Sequence, residues 1–197
     1  PFVRTKHLMA VCRQAGIGVF PWISEFVNDL SRFSSDRPHA LAEYQAAFGR
    51  NYRQQILQRY WIHLGGRALD TFRPVLAPQS LTTVLEESNP CAADLGNTSH
   101  FHIDLYGNFI PGLCAGLAIA MQDLGKTLNP AAYPIITRLV HSGVKGLFEM
   151  ASHDYGFQPQ RGDYINKCDL CTEIRSHLFN QGFASKELRP KEFYTLP

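Results

Sequence analysis

A chain of 197 residues and 22.2 kDa, 45% hydrophobic and 12% aromatic, has the apolar content for a buried core and is not disordered by composition. A formal charge of +2 and a pI near 8.4 are too mild to point to nucleic acid or an anionic membrane surface. No apolar run reaches the roughly 18–20 residues that span a bilayer; the longest, Leu113 to Met121, is broken by Gly116.

Five cysteines, an odd number, stand beside eight histidines and do not form a secreted disulfide framework. A reducing, cytoplasmic setting is expected, in which spaced cysteines serve metal binding or catalysis more often than bridges. The opening Pro1-Phe2-Val3, with neither an initiator methionine nor a signal-peptide pattern, reads as a cut through a larger polypeptide.

Residues 3–15 are predicted helical, with Val3, His7, Leu8, Val11 and Cys12 on or near one face and Gly16 placed as the C′ residue. Cys12 is read as core. Ile17-Gly18-Val19-Phe20 is predicted as a short buried strand that stops at Pro21. Helix, glycine, strand is the rhythm of an α/β layer, so residues 1–23 are expected to be the last unit of an α/β domain.

From residue 22 to about 73 the pattern is helical, with Ser24 or Asp29 as caps. Segments 38–48 and 51–62 are separated by Gly49 and anchored by Tyr44, Phe48, Tyr52 and Tyr60. Gly65-Gly66-Arg67 reads as a turn into a helical piece, 68–73; the same glycines would also let the backbone approach a ligand. Residues 74–98, with Pro74, Pro78 and Pro90, read as loop. His100 to Leu105 alternates, and Tyr106-Gly107-Asn108 turns the chain into Phe109-Ile110, a β-hairpin with Gly107 at its positive-φ position. One or two helices over 131–155, a turn bracketed by Gly156 and Gly162, a final helix from Cys168 to Phe179 and an extended tail complete the chain. The expected fold is α+β, mostly helical with a small β-hairpin, divided into regions 1–23, 24–73 and 74–197.

Cys168-Asp169-Leu170-Cys171 is a C-x-x-C at the start of a helix, where the helix dipole favours thiolate charge. Alone it is compatible with a thiol redox pair, half of a zinc site or half of an iron–sulfur site. A thioredoxin-like pair needs a strand of a βαβ unit directly before it, and Gly162 to Lys167 is a poor match. Cys91 precedes the hairpin and Cys114 follows it, so the hairpin returns the chain to bring the two together. Four thiolates suit tetrahedral zinc or a four-iron cluster alike; the bland alternative is that Cys91 and Cys114 are small buried apolar residues.

The segment from His100 to Cys114, taken with Gly162 to Cys171, resembles the C-terminal auxiliary-cluster extensions of radical S-adenosylmethionine proteins, of the SPASM or shorter twitch type. There a cysteine precedes a hairpin, a glycine marks its turn, a second cysteine follows, and a C-x-x-C comes some tens of residues later. The resemblance covers roughly residues 62–182. It implies one auxiliary 4Fe–4S cluster with Cys91, Cys114, Cys168 and Cys171 as ligands, zinc being a possible substitute, and the metal site beside the hairpin. It also implies a partial barrel, of which residues 1–23 would be the last helix and strand, and a peptide or small-molecule substrate. The full SPASM pattern has more cysteines, whereas none follows Cys171 here, and the six residues between Gly107 and Cys114 exceed the usual spacing. The twitch form fits better. The C-x-x-x-C-x-x-C that cleaves S-adenosylmethionine is absent from these residues, so that cofactor would enter only through the missing part of the barrel.

Other candidates are local. His100, His102 and Asp104 share one strand face and form a possible second metal site, or one histidine replaces Cys91 as ligand; one polar face of a hairpin is also ordinary. Arg67, Lys167 and Arg175 are candidates to tune a cluster by charge or hydrogen bonds to sulfur. No G-x-S-x-G, Walker loop, dinucleotide fingerprint or H-E-x-x-H occurs.

Overall fold

The computed structural model describes residues 2–18, 28–34, 36–97 and 102–195. The chain divides into two compact units, Pro1–Ile62 and His63–Pro197.

In the first unit, α1 (Phe2–Gln14) ends as expected at Gly16, whose φ is +73. The Ile17 N–H donates to the Cys12 carbonyl at 2.8 Å and the Gly16 N–H to Arg13 at 3.1 Å, which is a Schellman closure. That closure overturns the start of the predicted strand: Ile17 belongs to the helix cap, is 58% exposed, and neither it nor Gly18 is in a strand. Val19 and Phe20, like Ser24, lie outside the described residues. The apolar face is also different from the expected one, since Met9 is buried while Leu8 and Val11 are exposed, and Cys12 is half-buried.

α2 (Leu41–Phe48) and α3 (Tyr52–Arg59) confirm the pair of helices separated by Gly49. Tyr52 stacks on Tyr44 at 5.4 Å and on Phe48 at 5.6 Å. Glu43 reaches back to the Ala40 N–H at 3.0 Å, half of a capping box. Asp29 sits inside a helical segment rather than before one, and its carboxylate accepts from Arg59 at 2.8 Å and the Tyr60 hydroxyl at 2.9 Å.

The second unit opens on α4 (Arg67–Phe72), entered through Gly66 at φ +52. Residues 74–98 are not all loop. They contain β1 (Gln79–Ser80), α5 (Leu81–Glu86) and α6 (Ala92–Leu95). Ser80 starts α5 as its N-cap, accepting from the Thr83 N–H at 3.1 Å. Elements this short carry no readable period.

β2 (His102–Ile103) and β3 (Asn108–Ile110) form the expected hairpin, with His102 opposite Ile110 and Gly107 at φ +75. β4 (Ile119–Ala120), unforeseen, pairs with β3. α7 (Pro134–Tyr155) has proline at its first turn, breaks at Gly143 and ends at left-handed Gly156. β5 (Asp163–Tyr164) pairs antiparallel with β1, Gln79 opposite Tyr164.

α8 (Lys167–Asn180) is not the final helix, because α9 (Glu192–Thr195) follows. Nor is the tail simply extended. Leu188 bridges Leu117, and Glu187 is fully buried, accepting from the Ile135 and Ile136 N–H groups at 2.5 and 2.8 Å. An anion at the start of α7 answers the helix dipole, although burial pushes the Glu187 carboxyl up to about 7.

The core lies between α7 and α8. Leu139, Val144, Leu147 and Ala151 face Leu170, Ile174 and Leu178, with Leu117 and Tyr164 completing the cluster. Each fully buried aliphatic side chain of this size contributes about 1.5–3 kcal/mol. The fold is mixed α+β with small antiparallel sheets. Among the described residues, no helix is long and apolar enough to cross a membrane.

Candidate metal centre

Three separate segments supply the four cysteines, and each is fixed by a specific device. Cys91 is fastened to the middle of α7. Gly143, at φ +63 and ψ −162, interrupts the helical ladder there, and the Leu139 carbonyl instead accepts from the Cys91 N–H at 2.9 Å. Ser88 completes the joint by accepting from the Val144 N–H at 3.1 Å. A side chain at Gly143 would meet the Asn89 carbonyl oxygen at 2.7 Å, so glycine is what lets the Cys91 segment come in.

Cys114 is delivered by the hairpin and the tight turn Pro111–Leu113. Gly112, at φ +56, passes so close to α6 that a Cβ would lie 2.6 Å from the Asp94 carbonyl oxygen. Leu113 holds φ +65, an uncommon conformation for a side chain that is not glycine. The turn therefore packs directly on the helix that follows Cys91.

Cys168 and Cys171 lie in the first turns of α8. Asn166 caps that helix, its side-chain oxygen accepting from the N–H groups of Cys168 at 2.9 Å and Asp169 at 3.0 Å. Asp169, only 2% exposed, forms a different set of contacts. It takes two 2.8 Å bonds from Arg73, one of 2.9 Å from Arg161, and one of 3.0 Å from the Ile165 N–H. Burial alone would raise its carboxyl, but these donors hold it below the ordinary range. The ionic cluster anchors the start of α8 and with it both cysteines.

Each of the four thiols lies within electrostatic reach of the other three. All are free thiols rather than disulfides. Burial, reinforced by neighbouring sulfurs, pushes Cys114 up to about 12 and Cys168 up to about 11. A reactive dithiol needs the opposite shift, and the strand before the C-x-x-C is antiparallel rather than part of a βαβ unit. The raised Cys168 thiol argues against an activated thiol-exchange pair, and ligation here would require a metal to displace the protons. The side chains are gathered but not closed around a point: among the described residues, no three His, Cys, Asp or Glu side chains form a group that could hold a metal ion as placed.

The donor set fits a sulfur-ligated group in one further respect. Arg175 is 3% exposed, with its Nε buried and without a hydrogen-bond partner. Tyr194, Cys171 and Cys114 favour its charge, outweighing the burial that opposes it. Lys167, which pairs with Asp94 at 3.4 Å, also faces Cys91 and Cys168.

The remaining candidates fare differently. Asp104 is committed to the hairpin turn, accepting from the N–H groups of Tyr106 and Asn108 at 2.9 Å each, and from the Asn108 side chain. His102 is exposed, and His100 lies outside the described residues, as does the side chain of Arg67. On another flank of α8 opens a cleft of about 1010 Å³, lined by Gly66, Arg73, Arg161, Thr172, Glu173 and Phe193 among others. Gly66 therefore does border a cavity. Phe193 belongs to both places, since its ring also lies against Gly116, next to the Cys114 loop, and under the Arg175 guanidinium at 5.8 Å.

Sequence reasoning missed Asp169, Arg73, Arg161 and Glu187. The available signal for the first was an acid inside the C-x-x-C of a helix with no exposed-face pattern. For the others, the partners lie far apart in sequence, and nothing local marks them. No family model, no curated protein and no solved structure matches the chain.

Proposed function

We propose that residues 63–197 bind a 4Fe–4S cluster through Cys91, Cys114, Cys168 and Cys171, as the auxiliary-cluster region of a cytoplasmic radical S-adenosylmethionine enzyme. The observation that carries this reading is the convergence of four free, buried or half-buried thiols from three distant segments at one helix start. Each segment is placed by a specific feature: the break at Gly143, the close approach at Gly112 and the Asn166 cap.

When bound, such a group supplies a one-electron redox centre or a Lewis-acid contact for substrate. The chain's own residues do the rest. The joint in α7 orients Cys91, the Asp169 cluster fixes the pitch of α8, and the segment Glu187–Tyr194 covers the Cys114 loop against water. Substrate, a peptide or small molecule, would occupy the cleft beside α8, whose wall includes Phe193. Radical generation belongs to the rest of the barrel.

The test is anaerobic purification and reconstitution, followed by iron, acid-labile sulfide and zinc analysis. Four irons and four sulfides per chain are expected from this ligand set. A colourless protein holding one zinc and no sulfide would establish the competing reading, a zinc-stabilised interaction domain built on the same cysteines.

A further inference from the structure

The arginines of the second unit divide into two kinds. Arg73 and Arg161 are about a third exposed, and each has a carboxylate partner, at 2.8 and 2.9 Å. Arg175 is far more deeply buried and, among the described residues, makes no carboxylate ion pair. Its Nη1 donates to the Ala115 carbonyl at 2.8 Å and to the Tyr194 hydroxyl at 3.0 Å, and its Nη2 to Thr172 at 3.2 Å. All three are neutral acceptors. Glu187 is the carboxylate that senses it, but both Glu187 oxygens are engaged by the start of α7.

A guanidinium does not lose its proton, so burying one without a counter-charge is costly unless something else supplies the negative charge. The groups beside it that can become anionic are the Tyr194 hydroxyl, which burial keeps protonated and which donates to the Gly116 carbonyl, and the thiols of Cys171 and Cys114. Tyr194 holds the guanidinium in this position: its hydroxyl accepts from Nη1, donates to the Gly116 carbonyl, and its ring stacks on Phe179 at 4.8 Å.

We infer that Arg175 is the fixed counter-ion of the four-cysteine site, that its unpartnered Nε–H donates to the Cys171 sulfur once the cluster is bound, and that it favours the reduced state of the cluster. The inference rests on the proposed cluster and adds a redox role to a residue outside the ligand set. An external one-electron donor, dithionite in the test, delivers one electron; no bond forms or breaks. The negative charge of the site grows by one, and the buried guanidinium offsets it. Hydrogen bonds to cluster sulfurs and nearby charge are established levers on such potentials. Arg175 is a positioning and tuning residue, since it acts through Cys171.

The experiment is an EPR-monitored redox titration of the reconstituted chain and of Arg175→Gln, with iron and sulfide measured on each sample. The glutamine variant is expected to shift the reduction equilibrium at least tenfold against the reduced form, about 59 mV for one electron. Arg175→Lys, which keeps the charge, should recover most of that shift. Wild-type chain labelled with ¹⁵N-arginine should show a nitrogen coupling to the reduced cluster in pulsed EPR, a readout that needs no variant to fold. A fully loaded Arg175→Gln with an unchanged potential, or a loaded wild type without arginine coupling, overturns the role of Arg175 and leaves the cluster reading intact. A wild-type chain that takes up no iron and sulfide overturns both.

Discussion

The two units of this chain are stabilised in opposite ways. In the first, described burial is thin, with Met9, Ile56 and Tyr60 inside and Leu8, Val11 and Trp61 exposed. Much of the order there comes from local contacts, the aromatic stack of Tyr44, Phe48 and Tyr52 and surface pairs such as Arg37 with Glu43, joined by the longer-range bonds of Asp29 to Arg59 and Tyr60. In the second, a continuous core between α7 and α8 is combined with buried charge at Asp169, Arg175 and Glu187. Local contacts tolerate change one at a time, whereas buried charges depend on partners distant in sequence. Perturbations should therefore be absorbed by the first unit and amplified by the second.

The sharpest separation should come from the proposed ligands. Cys171→Ala, and equally Cys91→Ala, is expected to abolish iron and sulfide uptake while the far-UV signal of the helices persists; a variant that still loads fully removes that cysteine from the site. Next in size is Asp169→Ala, which leaves Arg73 and Arg161 without their shared partner. Both arginines are about a third exposed and Arg161 keeps Glu173, so the lost charge-assisted hydrogen bonds are expected to cost about 1.5–3 kcal/mol, measured as a fall in the urea midpoint of the second unit. An unchanged midpoint would show the ionic cluster to be dispensable.

Gly112→Ala should cost about 1–3 kcal/mol, from a positive φ and a contact with the Asp94 carbonyl that must be relieved. Its specific signature is weakened metal retention with the core otherwise intact. Titration gives a smaller and graded effect. In the metal-free chain, Cys114 and Cys168 keep their protons above the ordinary thiol value of 9.0, up to about 12 and 11. The unfolded chain releases them earlier, so stability is full below about pH 9 and falls as pH rises toward 12. Thermal unfolding across that range checks the sign, and alkylation of both cysteines should flatten the profile.

The smallest effect belongs to the first unit. Arg37, His39 and the Ala40 N–H hold the Glu43 carboxyl well below its usual range, but all of this is on the surface. Glu43→Gln is expected to leave the unfolding midpoint of the second unit unmoved and to change helicity only slightly. A large shift would break the contrast between the units.

What could be read from the residues follows the same division. Helices long enough to repeat, the Gly16 closure and the Gly107 turn were legible because their causes lie within a few residues. The C-x-x-C at a helix start was legible for the same reason. The expected loop at 74–98 hid two helices, since four to six residues show no period. The tail hid Glu187 and Tyr194, whose partners are on α7 and beside Cys114. Arg175 was visible as a basic residue near the cysteines, but its burial without a carboxylate follows from packing alone.

The break in α7 has a consequence of its own. A helix interrupted at Gly143 is two rigid arms with a hinge, and Cys91 is attached at the hinge through the Leu139 carbonyl. One arm carries Leu139 into the core; the other carries Leu147 and Ala151. A shift of Cys91 therefore acts directly on the break between the two arms. Were the proposed cluster bound, its hold on Cys91 would bear on the bend of α7, the longest helix among the described residues, and through it on the core.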